Sequence, residues 1–275
     1  MVNAHGNAFR RILLIGLALA VLLLGLAFPG CGGSNKAGKE NPPAGEQDQG
    51  QGTTPDQPPP PDAKSAAPAV PVFDPNRETV IKRGNPDRPM VAITIDDGWN
   101  RDDRILDLLE SYGIRCTVFV VGGRGVAESN PQWIARMDRA GFEVCSHTYD
   151  HYKLTDHPFD YVLEDITKGQ DVIAAVTGKR YPYMRPSGGS YNDTTIEACR
   201  AAGCYLVMWS NSDGDTSQGI TVDQEVAAVL NNLKNGDIIL CHFGGHNTYE
   251  VLRRVIPEIK SRGYQIGTLS EVIAP

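Results

Sequence analysis

From Met90 onward the chain alternates short apolar runs with longer amphipathic segments, and this alternation limits the folds open to it more than any other feature. Met90–Ile95, Ile114–Val121, Phe142–Ser146, Tyr181–Met184, Cys204–Trp209, Asp237–Cys241 and Tyr264–Leu269 are short and rich in β-branched or aromatic residues, which predicts strands. Between them, Arg104–Tyr112, Pro131–Ala140, Phe159–Thr177, Thr194–Ala202, Gln224–Lys234 and Tyr249–Arg262 read as helices, each closing at or just before a glycine that suits a helix C-cap. Asn130-Pro131 and Asp193-Thr194 supply N-terminal signals. Strand and helix in strict succession imply parallel strands joined by crossover helices, hence a doubly wound sheet or a βα barrel. Asp96, Asp97, His147, Arg185, Trp209 and His242 all stand at the C-terminal ends of predicted strands. In a barrel those ends share one face, whereas an open sheet gathers only the strands beside its switch point. The barrel is therefore expected.

The preceding third of the chain has a different character. Met1–Arg11 is polar and ends in two arginines, and residues 12–28 are an unbroken apolar run, the order of an export signal with its basic end in the cytoplasm. Ala27-Phe28-Pro29-Gly30-Cys31-Gly32-Gly33-Ser34 resembles a bacterial lipoprotein cleavage site, with Cys31 as the lipid anchor, although Phe28 and Pro29 depart from the usual residues. An uncleaved signal anchor is the alternative, and either places the rest of the chain on the outer side of the cytoplasmic membrane. Ten of the 19 prolines fall between Pro42 and Pro75, in a stretch of Gly, Gln, Asp, Ala and Ser with almost no large apolar side chain. Such a composition cannot offset the entropy of ordering, so residues 32–75 are expected to be a semi-stiff disordered tether and residues 76–275 the folded domain.

The formal charge is −7, and because residues 1–31 hold only Arg10 and Arg11 among charged side chains, the remainder carries −9. A surface of that sign excludes nucleic acid as a partner held by bulk charge. Six cysteines are too few for a disulfide scaffold in 275 residues. Cys116, Cys204 and Cys241 lie in apolar runs and read as buried thiols; Cys199–Cys204 or Cys116–Cys145 disulfides are also compatible with an oxidising compartment.

Four segments could carry chemistry. Thr94-Ile95-Asp96-Asp97-Gly98 sets two carboxylates side by side where a buried strand emerges; adjacent side chains point apart, so the two acids have separate tasks, or else form a simple Asx turn. His147 and His151 stand at i and i+4, a spacing that lets two imidazoles face one cation, and a carboxylate from Asp96 or Asp97 would complete an open three-ligand site of the kind used by catalytic Zn²⁺ or a similar divalent ion. Arg185-Pro186-Ser187-Gly188-Gly189 follows a strand with little side-chain bulk, so its backbone N–H groups could approach an oxyanion. Ile238-Ile239-Leu240-Cys241-His242 ends an apolar strand with a histidine placed for acid catalysis or for packing.

Together with Trp209 through Asp215, these segments occur in the order and approximate spacing of the five motifs of the polysaccharide deacetylases, the NodB-homology domain of carbohydrate esterase family four, and the chain resembles that family over about residues 88–272. The resemblance implies a distorted (β/α)7 barrel and metal-dependent removal of acetyl groups from N-acetylated glycans. It implies Asp96 as general base, Asp97, His147 and His151 as ligands of a divalent metal (Zn²⁺, with Co²⁺ or Ni²⁺ as alternatives), and His242 as general acid. Arg185 would orient Asp96, Asp215 would tune His242, Gly188 would donate to the oxyanion and Trp209 would line the groove. Ser187 and Gly188 stand where the family usually has a proline and an aromatic residue, Thr216 where it has Trp, and Phe243 where it commonly has Asp. Peptidoglycan is the nearest polymer to a tethered enzyme, with exopolysaccharide or chitin-type polymers behind it. An O-acetyl esterase and a non-catalytic glycan-binding protein of the same fold are the competing functions.

Overall fold

A computed structural model describes residues 69–275. The expected export segment, Cys31 and most of the expected proline-rich tether lie outside the described residues. Among those described, no helix is long and apolar enough to cross a membrane.

Among the described residues, nine strands form one sheet: β1 (Val80–Ile81), β2 (Met90–Asp97), β3 (Thr117–Val120), β4 (Glu143–Ser146), β5 (Tyr183–Met184), β6 (Tyr205–Val207), β7 (Asn211–Ser212), β8 (Ile238–Phe243) and β9 (Gln265–Gly267). The main helices are α1 (Asp103–Ser111), α2 (Pro131–Arg139), α3 (Phe159–Thr177), α4 (Asp193–Ala201), α5 (Val222–Asn231), α6 (Thr248–Ser261) and α7 (Leu269–Ile273). Every strand pairing is parallel. Strands β2 to β6 are laid down in sequence order, and β8, with β7 beyond it, occupies the other edge of β2. The ring of seven fails to close by strand pairing only between β6 and β7, which the chain itself connects through Met208, Trp209 and Ser210. There Met208 N–H donates to Ile81 O on β1 and Ser210 N–H to Ile238 O on β8. The architecture is a distorted (β/α)7 barrel, with β1 and β9 as extra edge strands.

Strand parity separates the core from the site. On β2, Ile93 and Ile95 join the large apolar cluster beneath the helices, together with Val118 and Val120 of β3 and Ile239, Cys241 and Phe243 of β8. The alternate positions face inward, and the register sets Asp96 beside Phe119 and His242. Phe119, Tyr183, Tyr205, Val207 and Ile238 fill the lower barrel, closed by Leu269 and Ile273 of α7. Helix packing follows the periodic apolar positions, as in α1, which buries Ile105, Leu106 and Leu109.

Several local readings need adjustment. Val70 and Phe73, in the segment assigned by composition to the tether, pack on the inner cluster, and Asp74 N–H donates to Tyr205 Oη at 2.9 Å, so ordered chain precedes residue 76. The α4 cap is Asn192 in a capping box with Thr195, one residue ahead of the Asp193 signal. Asn130 precedes α2 without capping it; its amide donates instead to Gly125 O and Val126 O. Cys116, Cys145, Cys199, Cys204 and Cys241 are all buried free thiols, and neither conceivable disulfide is formed.

Candidate active site

The inward position of Asp96 would leave its carboxylate buried and unpaired without Arg185, the largest fully buried side chain among the described residues. Arg185 follows β5 and crosses the barrel to donate from Nη1 to Asp96 Oδ1 at 2.7 Å and to Thr94 Oγ1 at 2.8 Å. Nε and Nη2 donate to Val207 O and Met208 O, each at 3.2 Å, and the guanidinium lies over the Phe119 ring at 4.2 Å. One oxygen of Asp96 is thus held in a charge-assisted bond, while Oδ2 faces the pocket 3.8 Å from His147 Nε2.

Strict alternation would turn Asp97 away from Asp96, and a backbone departure overrides it. Asp97 adopts φ 80°, a conformation rare for a residue with a side chain, and so brings its carboxylate back over the strand end. Thr148 and His151 share this left-handed region, with φ 65° and 56°. Three of the four such non-glycine residues among those described therefore lie at this site. The loop carrying both histidines is pinned from below by buried Asp165 of α3, whose carboxylate accepts from Tyr149 N–H at 3.3 Å and Asp150 N–H at 2.7 Å. Gly169 on the same helix permits this approach, since a Cβ there would lie 2.4 Å from Ser146 Oγ and 2.9 Å from the Thr148 carbonyl.

The result is a nearly equilateral triangle of ligand atoms. Nε2 of His147 and Nε2 of His151 are 3.2 Å apart, and Asp97 Oδ1 lies 3.5 Å and 3.4 Å from them. A point equidistant from three such atoms is about 2 Å from each, the Zn–N and Zn–O bond length. His147 donates from Nδ1 to Arg185 O at 2.8 Å, which leaves Nε2 as the lone-pair nitrogen. Burial holds the His147 pKa below its usual value, favouring the neutral ring that a metal requires. Asp97 is pushed up by burial, but the His151 bond and the fields of His147, His242 and His151 outweigh this and leave its pKa lowered. These residues suit a divalent cation with an open coordination position.

Across the pocket, His242 Nδ1 meets Asp215 Oδ1 at 2.8 Å, and the second Asp215 oxygen accepts from His242 N–H at 2.7 Å and Thr248 Oγ1 at 3.0 Å. Burial acts to lower the His242 pKa, yet the bond and charge of Asp215, joined by Asp96 and Asp97, raise it to about 9. Behind Asp215, the fully buried Asp213 accepts from its backbone N–H at 3.2 Å. Gly188, at φ 60°, and half-exposed Trp209 line the same cavity of about 160 Å³ as Asp96, His147 and His242. All nine site residues expected on the barrel thus lie within or directly behind one pocket. The supporting Asp165, Thr248 and Asp213 escape sequence reasoning, since each reads as an ordinary helix or loop polar residue.

Comparison with known proteins identifies the family and the fold. The polysaccharide deacetylase family profile matches residues 83–207. A peptidoglycan-N-acetylglucosamine deacetylase of Bacillus cereus is 32% identical over 67% of this chain and 88% of its own length. The crystal structure of the Bc1960 peptidoglycan N-acetylglucosamine deacetylase superposes with a TM-score of 0.67 at 26% identity, over 71% of this chain and 92% of that one. A pseudoenzyme of carbohydrate esterase family 4 from Bacillus anthracis also reaches 0.67, at 25% identity over 71% and 69%. Active and inactive relatives share the barrel, so the fold alone does not settle activity. Barrel, motif order and relatives together establish that this chain belongs to the polysaccharide deacetylase family, the enzymes of carbohydrate esterase family 4.

Proposed function

We propose that this protein removes N-acetyl groups from glucosamine units of an envelope glycan, with peptidoglycan as the first candidate, and that it works on the outer side of the membrane behind an export segment anchored at Cys31. The observation that carries the reading is the triangle of Asp97, His147 and His151, set between a carboxylate with one free oxygen and a histidine backed by a second carboxylate. The substrate follows the name of the Bacillus cereus relative. The residues expected for a non-catalytic binder would not need to retain base, ligands and acid together.

In this reading Asp97, His147 and His151 hold a divalent cation, most simply Zn²⁺. When bound, the cation polarises the acetyl carbonyl and lowers the pKa of a water in the pocket. Asp96 accepts the proton of that water as the water oxygen attacks the carbonyl carbon. Arg185 keeps Asp96 oriented by occupying Oδ1, so that Oδ2 alone takes the proton. Gly188 N–H steadies the negative charge that develops on the carbonyl oxygen. His242, protonated at neutral pH, delivers a proton to the sugar nitrogen as the C–N bond breaks, because an amide anion is too poor a leaving group. The products are acetate and the free amine, and the proton on Asp96 returns to solvent or to His242.

Elemental analysis of the purified protein, followed by acetate release from N-acetylglucosamine oligomers and from peptidoglycan, tests this. One divalent ion per chain and metal-dependent acetate release are expected, with Asp96→Asn lowering the rate about 10²–10⁴-fold. Absence of acetate from every acetylated glycan with metal loaded, or an Asp96→Asn variant as active as wild type, overturns the reading.

A further inference from the structure

His147 and His151 stand at the two ends of a short loop, and the 3.2 Å between their Nε2 atoms depends on how the middle of that loop is held. Thr148 and His151 both have left-handed φ, a shape that persists only when the surroundings impose it. Part of that restraint is the β3–β4 ladder, which runs on past both strands. Val120 and Ser146 are the last strand pair, yet Gly122 N–H donates to Thr148 O at 2.9 Å and Gly123 N–H to Tyr149 O at 3.0 Å. The ligand loop is thus paired to the loop after β3 as though the sheet continued.

Tyr149 adds a side-chain staple at the midpoint. Its ring lies on Gly123, where a Cβ would sit 2.8, 2.9 and 3.1 Å from three ring carbons. Gly123 is not among the glycines of positive φ, so it is the seated ring that requires glycine here, not the backbone conformation. Lys168 of α3 covers the ring, with Nζ 3.7 Å from its centroid, and Oη donates to Glu128 Oε2 at 2.8 Å. Glu128 is itself fixed by its N–H, which donates to Gly122 O at 2.9 Å. One side chain therefore ties the ligand loop both to the loop after β3 and to α3. Neither Tyr149 nor any of its three partners lines the reacting pocket, so what they contribute reaches the chemistry only through the two histidines.

We propose that Tyr149 is a positioning residue for the metal site: seated on Gly123, covered by Lys168 and tied to Glu128, it fixes the loop so that both imidazoles face one cation. This rests on the metal-dependent deacetylase reading and deepens it. The test uses the metal-free full chain of wild type, Tyr149→Ala, Tyr149→Phe, Gly123→Ala and Lys168→Met, each below its own unfolding midpoint. Zn²⁺ affinity is measured by competition with a chelator, and the Co²⁺-loaded proteins are compared by their d–d absorption, which reports ligand geometry. Tyr149→Ala and Gly123→Ala are expected to bind Zn²⁺ about tenfold or more weakly and to shift the Co²⁺ bands. Tyr149→Phe keeps the seated ring and is expected to recover most of the affinity. Lys168→Met alters an exposed position, so it carries the test if Tyr149→Ala does not fold; a loss of about two- to threefold is expected. Zn²⁺ affinity and Co²⁺ bands unchanged in Gly123→Ala and in the folded Tyr149 variants, even with lowered stability, overturn the positioning role and leave the deacetylase reading intact. A wild-type chain that binds neither ion removes the metal-dependent reading, and this proposal with it.

Discussion

The two walls of the pocket each present an imidazole, and the chain gives the two rings opposite characters. His147 donates from Nδ1 to a backbone carbonyl, and burial lowers its pKa, so Nε2 keeps a lone pair for a cation. His242 uses the same nitrogen toward a carboxylate, and despite its burial the pKa rises to about 9, so Nε2 keeps a proton. The partner of one nitrogen decides whether the other gives electrons or a proton. Arg185 ties the ligand wall to the base, since its carbonyl accepts from His147 while its guanidinium neutralises Asp96.

Breaking that shared element should have the largest effect. Arg185→Met leaves the Asp96 carboxylate buried without a counter-charge and two carbonyls without donors, and denaturant unfolding is expected to show a loss of about 3–5 kcal/mol. Arg185→Lys restores the charge but not the fork, and should recover only part of it. Next comes the acid wall taken alone. Asp215→Asn removes the charge, and with it the charge-assisted strength of the bond, that hold the His242 pKa near 9, returning it toward about 6.5. The alkaline limb of kcat/KM should move down with it, lowering activity about 30-fold at pH 8 while leaving pH 5.5 little changed. The same shift has a stability counterpart. A raised histidine pKa stabilises the fold fully below about pH 6.5 and loses that contribution as pH rises through about 9, so the melting temperatures of wild type and Asp215→Asn should converge toward pH 10.

The ligand wall can be loosened without touching a ligand. Asp165→Asn takes away one of the two acceptors that hold the Tyr149 and Asp150 amides beneath two residues of positive φ. Metal titration should show an affinity about tenfold weaker, and the alkaline limb set by His242 should stay where it is. Movement of both properties in either variant would show that the walls are coupled and end the comparison as drawn.

How much of this was legible follows from how each residue makes its contribution. Asp96, His147, Arg185 and His242 are polar side chains at the ends of apolar runs, and a period-2 pattern places them on one face of a barrel whatever the details. Six of the seven helices were equally plain, and Phe159–Thr177 has the bounds its periodicity implies, whereas the five-residue α7 was not, since Leu269 reads as the end of a strand. Strands β1 and β7 were not, because two residues each show no period, yet they flank the one gap in the ring. Asp97 was assigned to the metal by resemblance; the φ of 80° that lets neighbouring carboxylates share a pocket has no mark in the sequence. Asp165 lies in an amphipathic helix, where one acid looks like any other until the loop above it is placed. Val70 and Phe73 sit among prolines, and only the folded inner cluster, where Phe73 meets the Tyr205 ring at a centroid distance of 4.8 Å, gives them something to pack against.

Asp213 sharpens the contrast between neighbouring carboxylates on the acid wall. Its burial, and then the charge of Asp215, raise its pKa to about 7, so the folded chain binds a proton there that the unfolded chain has lost. Stability is accordingly lost, not gained, as pH rises from about 4 to 7, the reverse of an acid held in an ion pair. Asparagine at this position cannot ionise but keeps an oxygen for the Asp215 amide, which the buried carboxylate now holds at 3.2 Å. Its own amide protons must find partners in a closed space, which offsets part of the gain. Asp213→Asn should therefore be about 1 kcal/mol more stable than wild type at pH 8 and no more stable at pH 5, measured by denaturant unfolding at the two pH values. A variant less stable at both would mean that Asp213 supports Asp215 as an ionised partner, and that the acid wall depends on two charges beneath His242 instead of one.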